Sequence, residues 1–591
     1  MNWLVLSPER AIYFTFASAL SVIRGRRSFH LALLFVLAFF FTLLNALKPM
    51  HIDDAAGFYH AAQVAKQPLN PYGFDMFWYQ HPKPAYEEPF PPVLPYWWAL
   101  AIWLFGEQPF LWKLWLLPFS LLFVFACDEL FRRFARGLEE PLLIMTVLSP
   151  TFLPSLNLMP HIPSVTLSLC ALIVFLSASD RSSPLLAVLA GLVAGLAIET
   201  KYSGFLAPGI LLLYALFFRK IHLWLLSAVV TGLVFVSWET FVTLLYKSYF
   251  PLYHLYHLHS GHEGLLHKTR LILPLLTILG GVAPAGALLG LTALRLSRWV
   301  VLTSSLFVLL GYVLLACVEV TFTAKFSFSP SLFSILEVST SQLGLNHVIF
   351  SLFGLALCGS MAAVVWQLCR LSRGGLWRPA LWRTYRTEWF LVLWLVLEVA
   401  GYFALTPFPA ARRVMGIVIV FTVLGGRLAS RTCRSPARIA LVRAVAFVSM
   451  VVGLGFWAVD VRDAYAEKEA AEVAARYVYQ QETAATVWYV GHWGFQYYAE
   501  RAGMKPVVPD RSQLRRGNWL VVPDRVDQQR IRIDQKRTDL VVQLTVNDFL
   551  PLRTVPCYYS GRTPLEHHEG PRVVVSIYRV TADFVPATPE P

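Results

Sequence analysis

Charge is scarce in this chain. Only 15% of its 591 residues are Asp, Glu, Lys or Arg, against 56% hydrophobic residues. An ordinary soluble protein carries about 25% charged residues, so the shortage excludes that class and excludes a disordered chain even more firmly. Cysteine is sparse too, with seven residues at Cys127, Cys170, Cys317, Cys358, Cys369, Cys433 and Cys557. None forms a CxxC pair, and the last stretch holds only Cys557, which excludes a disulfide framework there. No segment repeats with a period of about 20–50 residues, so a solenoid or inverted repeat is not indicated. No basic patch interleaved with aromatics suggests a nucleic-acid groove. No cleavable signal peptide is visible; Arg24, Arg26 and Arg27 read as the cytoplasmic anchor of an uncleaved helix.

What the chain has in abundance is long apolar runs. Its mean hydropathy is +0.54, and runs of about 17–25 residues, enough to cross a ~30 Å hydrocarbon core, recur from Leu31 to Trp457. The net charge of +14 sits mostly in this part, in clusters between alternate runs. They are Arg24/Arg26/Arg27, Arg132/Arg133/Arg136, Arg181, Arg219/Lys220, Arg295/Arg298, Arg370 through Arg386 and Arg427 through Arg438. The positive-inside rule puts those loops in the cytoplasm and the cations toward anionic lipid. The expected architecture is an α-helical polytopic membrane protein of about 13 spans, N-terminus in and C-terminus out. Spans are expected to start near Leu31, Leu111, Leu142, Ser164, Leu185, Phe205, His222, Leu271, Val300, His347, Trp389, Val414 and Ile439.

Two regions stand apart. Residues 48–110 form a long outer loop with a proline-rich run from His81 to Pro95 and a short aromatic stretch, Tyr96 to Phe105. That stretch is too short for a comfortable span and reads as a helix lying in the interface. Residues 461–591 have acids and bases in near balance and read as a small extramembrane α/β domain following the transmembrane domain of residues 1–460. It opens with an amphipathic helix, Val461 to Tyr479. A β-α-β pattern follows at Val487–Val490, Trp493–Arg501 and Trp519–Val522, with a last strand at Arg572–Val580.

The candidate site begins at His51-Ile52-Asp53-Asp54-Ala55-Ala56-Gly57-Phe58-Tyr59-His60, directly after the first apolar run. Two adjacent carboxylates at the mouth of a membrane helix pack nothing and are costly, which points to chemistry. The plain alternative is a hydrated helix end. A second cluster, His254, His257, His259, His262 and His267 with Glu263, has spacings that suit a zinc or other divalent ion. An interfacial aromatic loop accounts for it better, because it lacks a zinc signature.

An Asp-acid pair after the first span, then aromatics and an interfacial helix, resembles the C-type glycosyltransferase superfamily. The resemblance is to its protein-mannosyltransferase-like and aminoarabinose-transferase-like bacterial members. The glycine-rich run Ala190 to Ile198 ending in Glu199-Thr200-Lys201-Tyr202-Ser203-Gly204 carries it further. So do Ser149-Pro150, Pro407-Phe408-Pro409-Ala410-Ala411-Arg412-Arg413 and the tail motif Gly491-His492-Trp493-Gly494-Phe495-Gln496-Tyr497-Tyr498. The resemblance implies a C-type glycosyltransferase fold in a bacterial inner membrane, with the tail periplasmic. It implies transfer of a hexosyl or pentosyl unit from a polyprenyl-phosphate-linked donor to a lipid, glycan or protein acceptor on the outer face. Asp53 would be the base and Asp54 its partner; Lys201, Arg412, Arg413 and Lys83 would hold the donor phosphate; Tyr59, His161 and Tyr202 would contact substrate. Where members often carry a first-loop lysine this chain has Phe90, a departure that counts against Lys83 in that role. His161 stands where related sequences carry a second Asp, as a neutral ligand or donor or as a mark of altered specificity. The resemblance fixes no cofactor and leaves a divalent metal open.

For each cation the plain alternative is snorkelling to the headgroups. Glu199 and Glu239 are candidates for ion pairs with Lys201 and Lys247. His492 and Trp493 suit stacking on a sugar, although buried aromatics at a strand-to-helix turn are more often core. The rival functions are a transporter of a lipid-linked sugar, which calls for mid-span charges and paired halves, and a non-catalytic binder, which His161 favours.

Overall fold

The computed structural model describes residues 28–87, 90–247, 271–318, 321–322, 343–372, 379–406, 408–432, 435–524, 529, 531–554 and 563–588. Helices dominate them. Nine described helices are long and apolar enough to cross a membrane, and a tenth crossing is made if the pair Ile272–Val282 and Pro284–Ala293, bent by 79°, counts as one broken span. In chain order the helices are α1 Ser28–Ala46, α2 Asp54–Lys66, α3 Val93–Phe105, α4 Pro109–Phe134 and α5 Glu139–Val147. There follow α6 His161–Arg181, α7 Pro184–Ile198, α8 Leu206–Phe218 and α9 Ile221–Tyr246, then α10 Ile272–Val282 and α11 Pro284–Ala293. The membrane part closes with α12 Arg298–Cys317, α13 Leu345–Leu371, α14 Pro379–Leu405, α15 Met415–Thr432 and α16 Pro436–Gln481.

Two departures from the expected spans have local causes. The run from Leu142 is only the nine-residue α5 followed by a single 3-10 turn at Leu153–Ser155. Pro150, Pro154 and Pro160 lie within it and cannot donate to a helix ladder. The runs from Leu185 and Phe205 become α7 and α8, of 15 and 13 residues. α7 and α9 touch backbone to backbone because Gly191 has no side chain; a Cβ there would collide with the carbonyl of Ser227.

In the first loop, α2 packs against α3, whose 13 residues extend about 20 Å. Trp103 Nε1 donates to the Ala65 carbonyl at 2.9 Å, and the Val93 N–H donates to the Glu199 carbonyl at 3.1 Å, tying the hairpin to the end of α7.

The last span does not stop at the membrane. α16 runs unbroken for 46 residues, so the amphipathic helix expected at Val461 is its continuation. It carries a five-stranded sheet of β1 Val487–Tyr489, β2 Lys505–Pro506, β3 Trp519–Pro523, β4 Thr538–Val546 and β5 Val573–Val580, in the order β2-β1-β3-β5-β4. β1 is parallel to β2 and β3, and β5 is antiparallel to β3 and β4. α17, Trp493–Arg501, crosses from β1 and packs on both α2 and α16. The expected β-α-β and final strand are present; β4, the sheet's edge, had no counterpart in the sequence reading.

Candidate functional site

The turn between α1 and α2 is held by buried charges. Lys48 Nζ lies 2.6 Å from Asp460 Oδ2 on α16, both fully buried. Lys113 Nζ lies 2.8 Å from Asp54 Oδ2 and donates to the carbonyls of Lys48 at 3.0 Å and Pro49 at 2.8 Å. Asp54 also accepts the Leu158 N–H at 2.7 Å and the His51 N–H at 3.1 Å. Its carboxylate is inaccessible and fully engaged. Asp54 therefore ties α2 to α4 and the 157–160 turn, enclosed where it was expected to stand open beside Asp53.

Asp53 is different. About a quarter of its side chain remains accessible, and it bonds Arg412 Nη1. Arg412 comes from the 3-10 turn Ala411–Arg413 that ends the α14–α15 connection, and Nη1 also contacts Met159 Sδ at 3.4 Å. That guanidinium joins Asp53 to a cavity of about 310 Å³. Arg412, Arg413, Lys201, His161, Tyr202 and Ser203 line one part of it. Most of the other lining side chains, among them Leu169, Ile210, Leu405 and Ile419 of α6, α8, α14 and α15, are apolar, with Glu398 and Thr406 among the polar exceptions.

Two cations of this cavity, Lys201 and Arg413, are buried against other positive charge. Burial, then repulsion from Arg413 and Arg412, holds the Lys201 amine well below the usual lysine range. Burial, then Arg412, pushes Arg413 down to about 9, and its guanidinium lies 4.3 Å from the Phe408 ring centre. Both shifts come first from burial, with repulsion between neighbouring cations adding to it and Asp53 opposing it. His161 is buried with neither ring nitrogen hydrogen-bonded among the described residues.

The remaining sequence candidates divide. Tyr202 lines the cavity but donates to Glu239 at 3.0 Å, so Glu239 is engaged with Tyr202. Glu199 has no hydrogen-bond partner for either carboxylate oxygen among the described residues; burial, then Glu239, raises it to about 9. It is not the counter-ion of Lys201. Lys83 is exposed on a two-residue strand and does not line the cavity. The Tyr59 hydroxyl donates to Glu500 of α17, away from the cavity; a bond across to the tail explains it better than substrate contact. His492 lies 2.6 Å from the Tyr79 carbonyl, and Trp493 is buried in the core. His254, His257, His259 and His262 lie outside the described residues.

Sequence reasoning missed Lys113, Glu398, Tyr402 and Thr406. The last three line the cavity, and the Tyr402 hydroxyl is buried without a hydrogen-bond partner among the described residues. Lys113 and Glu398 were visible as isolated charges in apolar runs; Tyr402 and Thr406 carry no such signal.

No protein-family model and no curated protein matches this chain. Solved structures do resemble it. One is ArnT from Cupriavidus metallidurans bound to undecaprenyl phosphate, at 14% identity and a TM-score of 0.38, covering 94% of this chain and 98% of that one. Another is the archaeal oligosaccharyltransferase AglB from Archaeoglobus fulgidus, in complex with an inhibitory peptide and a dolichol-phosphate. It aligns at 14% identity with a TM-score of 0.46, covering 84% of this chain and 69% of that one. Likenesses at this level assign neither activity nor substrate.

Proposed function

We propose that this chain is an integral membrane glycosyltransferase that moves a sugar from a polyprenyl-phosphate-linked donor to an acceptor hydroxyl, with Asp53 as general base. The observation that carries the reading is the cavity itself. Three cationic side chains, Lys201, Arg412 and Arg413, meet there, and Asp53 is bound to one of them. Most of the remaining lining is apolar and comes from membrane helices, with Glu398, Tyr402 and Thr406 among it. A phosphate bearing a long hydrocarbon matches both halves.

The chemistry follows from the charges. The acceptor oxygen attacks the anomeric carbon while its proton passes to Asp53. The bond from that carbon to the phosphate oxygen breaks, and its electron pair stays on the phosphate. A singly charged phosphodiester thus becomes a doubly charged leaving group, so the cations bind the transition state better than the ground state. Direct displacement inverts the anomeric centre. His161 and the Tyr402 hydroxyl supply neutral hydrogen-bonding groups, and Asp54 positions α2 without touching the reactants.

The outer face is supported by where the basic clusters lie. Arg132 and Arg133 end α4, Arg181 ends α6, Arg219 follows α8 and Arg431 ends α15. Each is at the end of its helix opposite the cavity, as the positive-inside rule requires of an outward-facing site.

The test is mass spectrometry of envelope lipids and glycans from cells lacking the gene, complemented with wild type, Asp53→Asn or His161→Asp at matched protein levels. A sugar mass increment with wild type that disappears with Asp53→Asn is expected. An increment that survives Asp53→Asn overturns the role of Asp53. No wild-type increment, with one gained by His161→Asp, favours a non-catalytic binder.

A further inference from the structure

We infer that the tail sets the position of Asp53: the turn Gly491–Gly494 and α17 clamp the segment Met50–Asp54, and Gly494, Tyr498 and Glu467 are positioning residues for the transfer step. Only the role of Asp53 in this statement rests on the transferase reading.

The argument starts one residue before the carboxylate. Ile52 has φ +49°, a left-handed conformation that a β-branched side chain adopts only under constraint. Such strain persists where the surroundings over-determine it. Here the surroundings come from the tail. The Met50 N–H donates to the Tyr498 hydroxyl at 2.9 Å. His51 Nδ1 lies 3.2 Å from Glu467 Oε2, and Nε2 lies 3.8 Å from Asp460 Oδ1. Tyr498 belongs to α17, and Glu467 and Asp460 to the extended helix α16.

The face that meets this segment is itself strained. Gly491 has φ +116° and Trp493 has φ +63°, which turn the chain sharply from β1 into α17. Gly494 then seats on the Met50–His51 backbone. A Cβ at Gly494 would lie 2.5 Å from the Met50 carbonyl oxygen and 3.3 Å from His51 Cα, and would collide with the Glu467 carboxylate. Around this contact the tail also grips the first loop. The His492 ring lies between Gln496 Oε1 at 2.9 Å and the Tyr79 carbonyl at 2.6 Å. Tyr59 of α2 and Tyr489 of β1 share Glu500.

Two strained backbones thus hold each other, and Asp53 is the next residue along one of them. Its cation, Arg412, comes from a different part of the chain, so a rotation at Ile52 moves the base relative to the cavity while leaving Lys201, Arg413 and His161 in place. A clamp of this kind affects transfer rate more than donor affinity.

The experiment uses full-length wild type, Gly494→Ala and Tyr498→Phe in nanodiscs, with undecaprenyl phosphate as the binding probe. Hydrogen exchange is read at residues 52–57, and sugar transfer is read as the mass increment in cells with matched protein levels. Gly494→Ala should raise exchange at 52–57 by about tenfold or more. It should lower transfer by about tenfold to a hundredfold while undecaprenyl phosphate affinity stays within about threefold of wild type. Tyr498→Phe, which removes only the acceptor of the Met50 N–H, should shift both in the same direction by less. If Gly494→Ala does not accumulate as folded protein, Tyr498→Phe carries the test. Unchanged exchange at 52–57, or a transfer loss matched by an equal loss of affinity, overturns the proposal. If wild type transfers nothing, the glycosyltransferase reading fails, and the exchange measurement still decides the clamp.

Discussion

At the scale of single residues, two adjacent aspartates have opposite fates. Asp53 keeps an accessible carboxylate and shares it with Arg412, whereas Asp54 is enclosed with Lys113. Removing one partner of a buried ion pair leaves the other uncompensated, typically at about 3–5 kcal/mol. Lys113→Met should therefore lower the melting temperature of detergent-solubilised protein sharply, and Lys113→Met combined with Asp54→Asn should recover part of it. Asp53→Asn should lower melting much less than Lys113→Met, because the Asp53 side chain is about a quarter accessible and the Asn oxygen still accepts from the buried Arg412. A melting loss for Asp53→Asn as large as for Lys113→Met would make Asp53 a strut as well. The cations carry a binding prediction. Arg413→Ala and Lys201→Ala should each weaken undecaprenyl phosphate binding by about 1.5–3 kcal/mol, the range for a charged hydrogen bond. Lys83→Ala should leave it unchanged, read by titration in nanodiscs, since Lys83 lies off the cavity.

At the scale of elements, α2 depends on close backbone contact. A Cβ at Gly57 of α2 would lie 2.8 Å from the Leu158 carbonyl and 3.0 Å from the Trp98 ring. The carbonyl cannot swing aside as a side chain does, so Gly57→Ala should cost about 1–3 kcal/mol and push α2 off the 157–160 turn. Thermal melting with transfer measured in parallel checks this; a Gly57→Ala protein with wild-type melting and transfer refutes the packing. The same scale shows what the sequence concealed. The helical segments of the membrane part were legible because apolar runs of sufficient length have few other solutions. The run from Leu142 does not form one continuous helix, because Pro150 and Pro154 break its ladder, and hydropathy alone does not register that. The edge strand β4 was missed because its exposed face leaves a weak alternating pattern: Leu540 and Val541 are adjacent and both exposed.

At the scale of the whole molecule, α16 joins membrane and tail in one rod, and a buried charge network gathers around its middle. Lys48 pairs with Asp460, His51 with Glu467, and Arg572 and Thr554 bond Asp463. His51 is raised above its ordinary 6.5: burial pulls it down, but Glu467 and Asp460 outweigh burial and Lys48. The pairing therefore contributes its full stability below about 6.5 and loses it as pH rises through the raised value. Hydrogen exchange at residues 52–57, corrected for intrinsic rates, should accelerate as pH climbs above that window. Glu467→Gln should flatten the response; a wild-type exchange profile with no pH dependence would remove His51 from the clamp.

The sequence by itself determined the membrane class, the α/β tail and the stretch on which the proposed site is built, because each is written in local pattern: run length, strand alternation, and two acids where a membrane helix ends. It also named Lys201, Arg412 and Arg413, which reach one cavity from distant parts of the chain. Only the tertiary structure decided which aspartate is open and which is a strut, since that depends on Lys113 and the Leu158 N–H arriving from other elements. It alone showed that Lys83 and Tyr59 do not line the cavity, that Asp53 meets it through Arg412, and that Tyr402 lines it. Burial and long-range pairing are properties of packed surfaces, and no local pattern encodes which distant group will come to rest beside a given side chain.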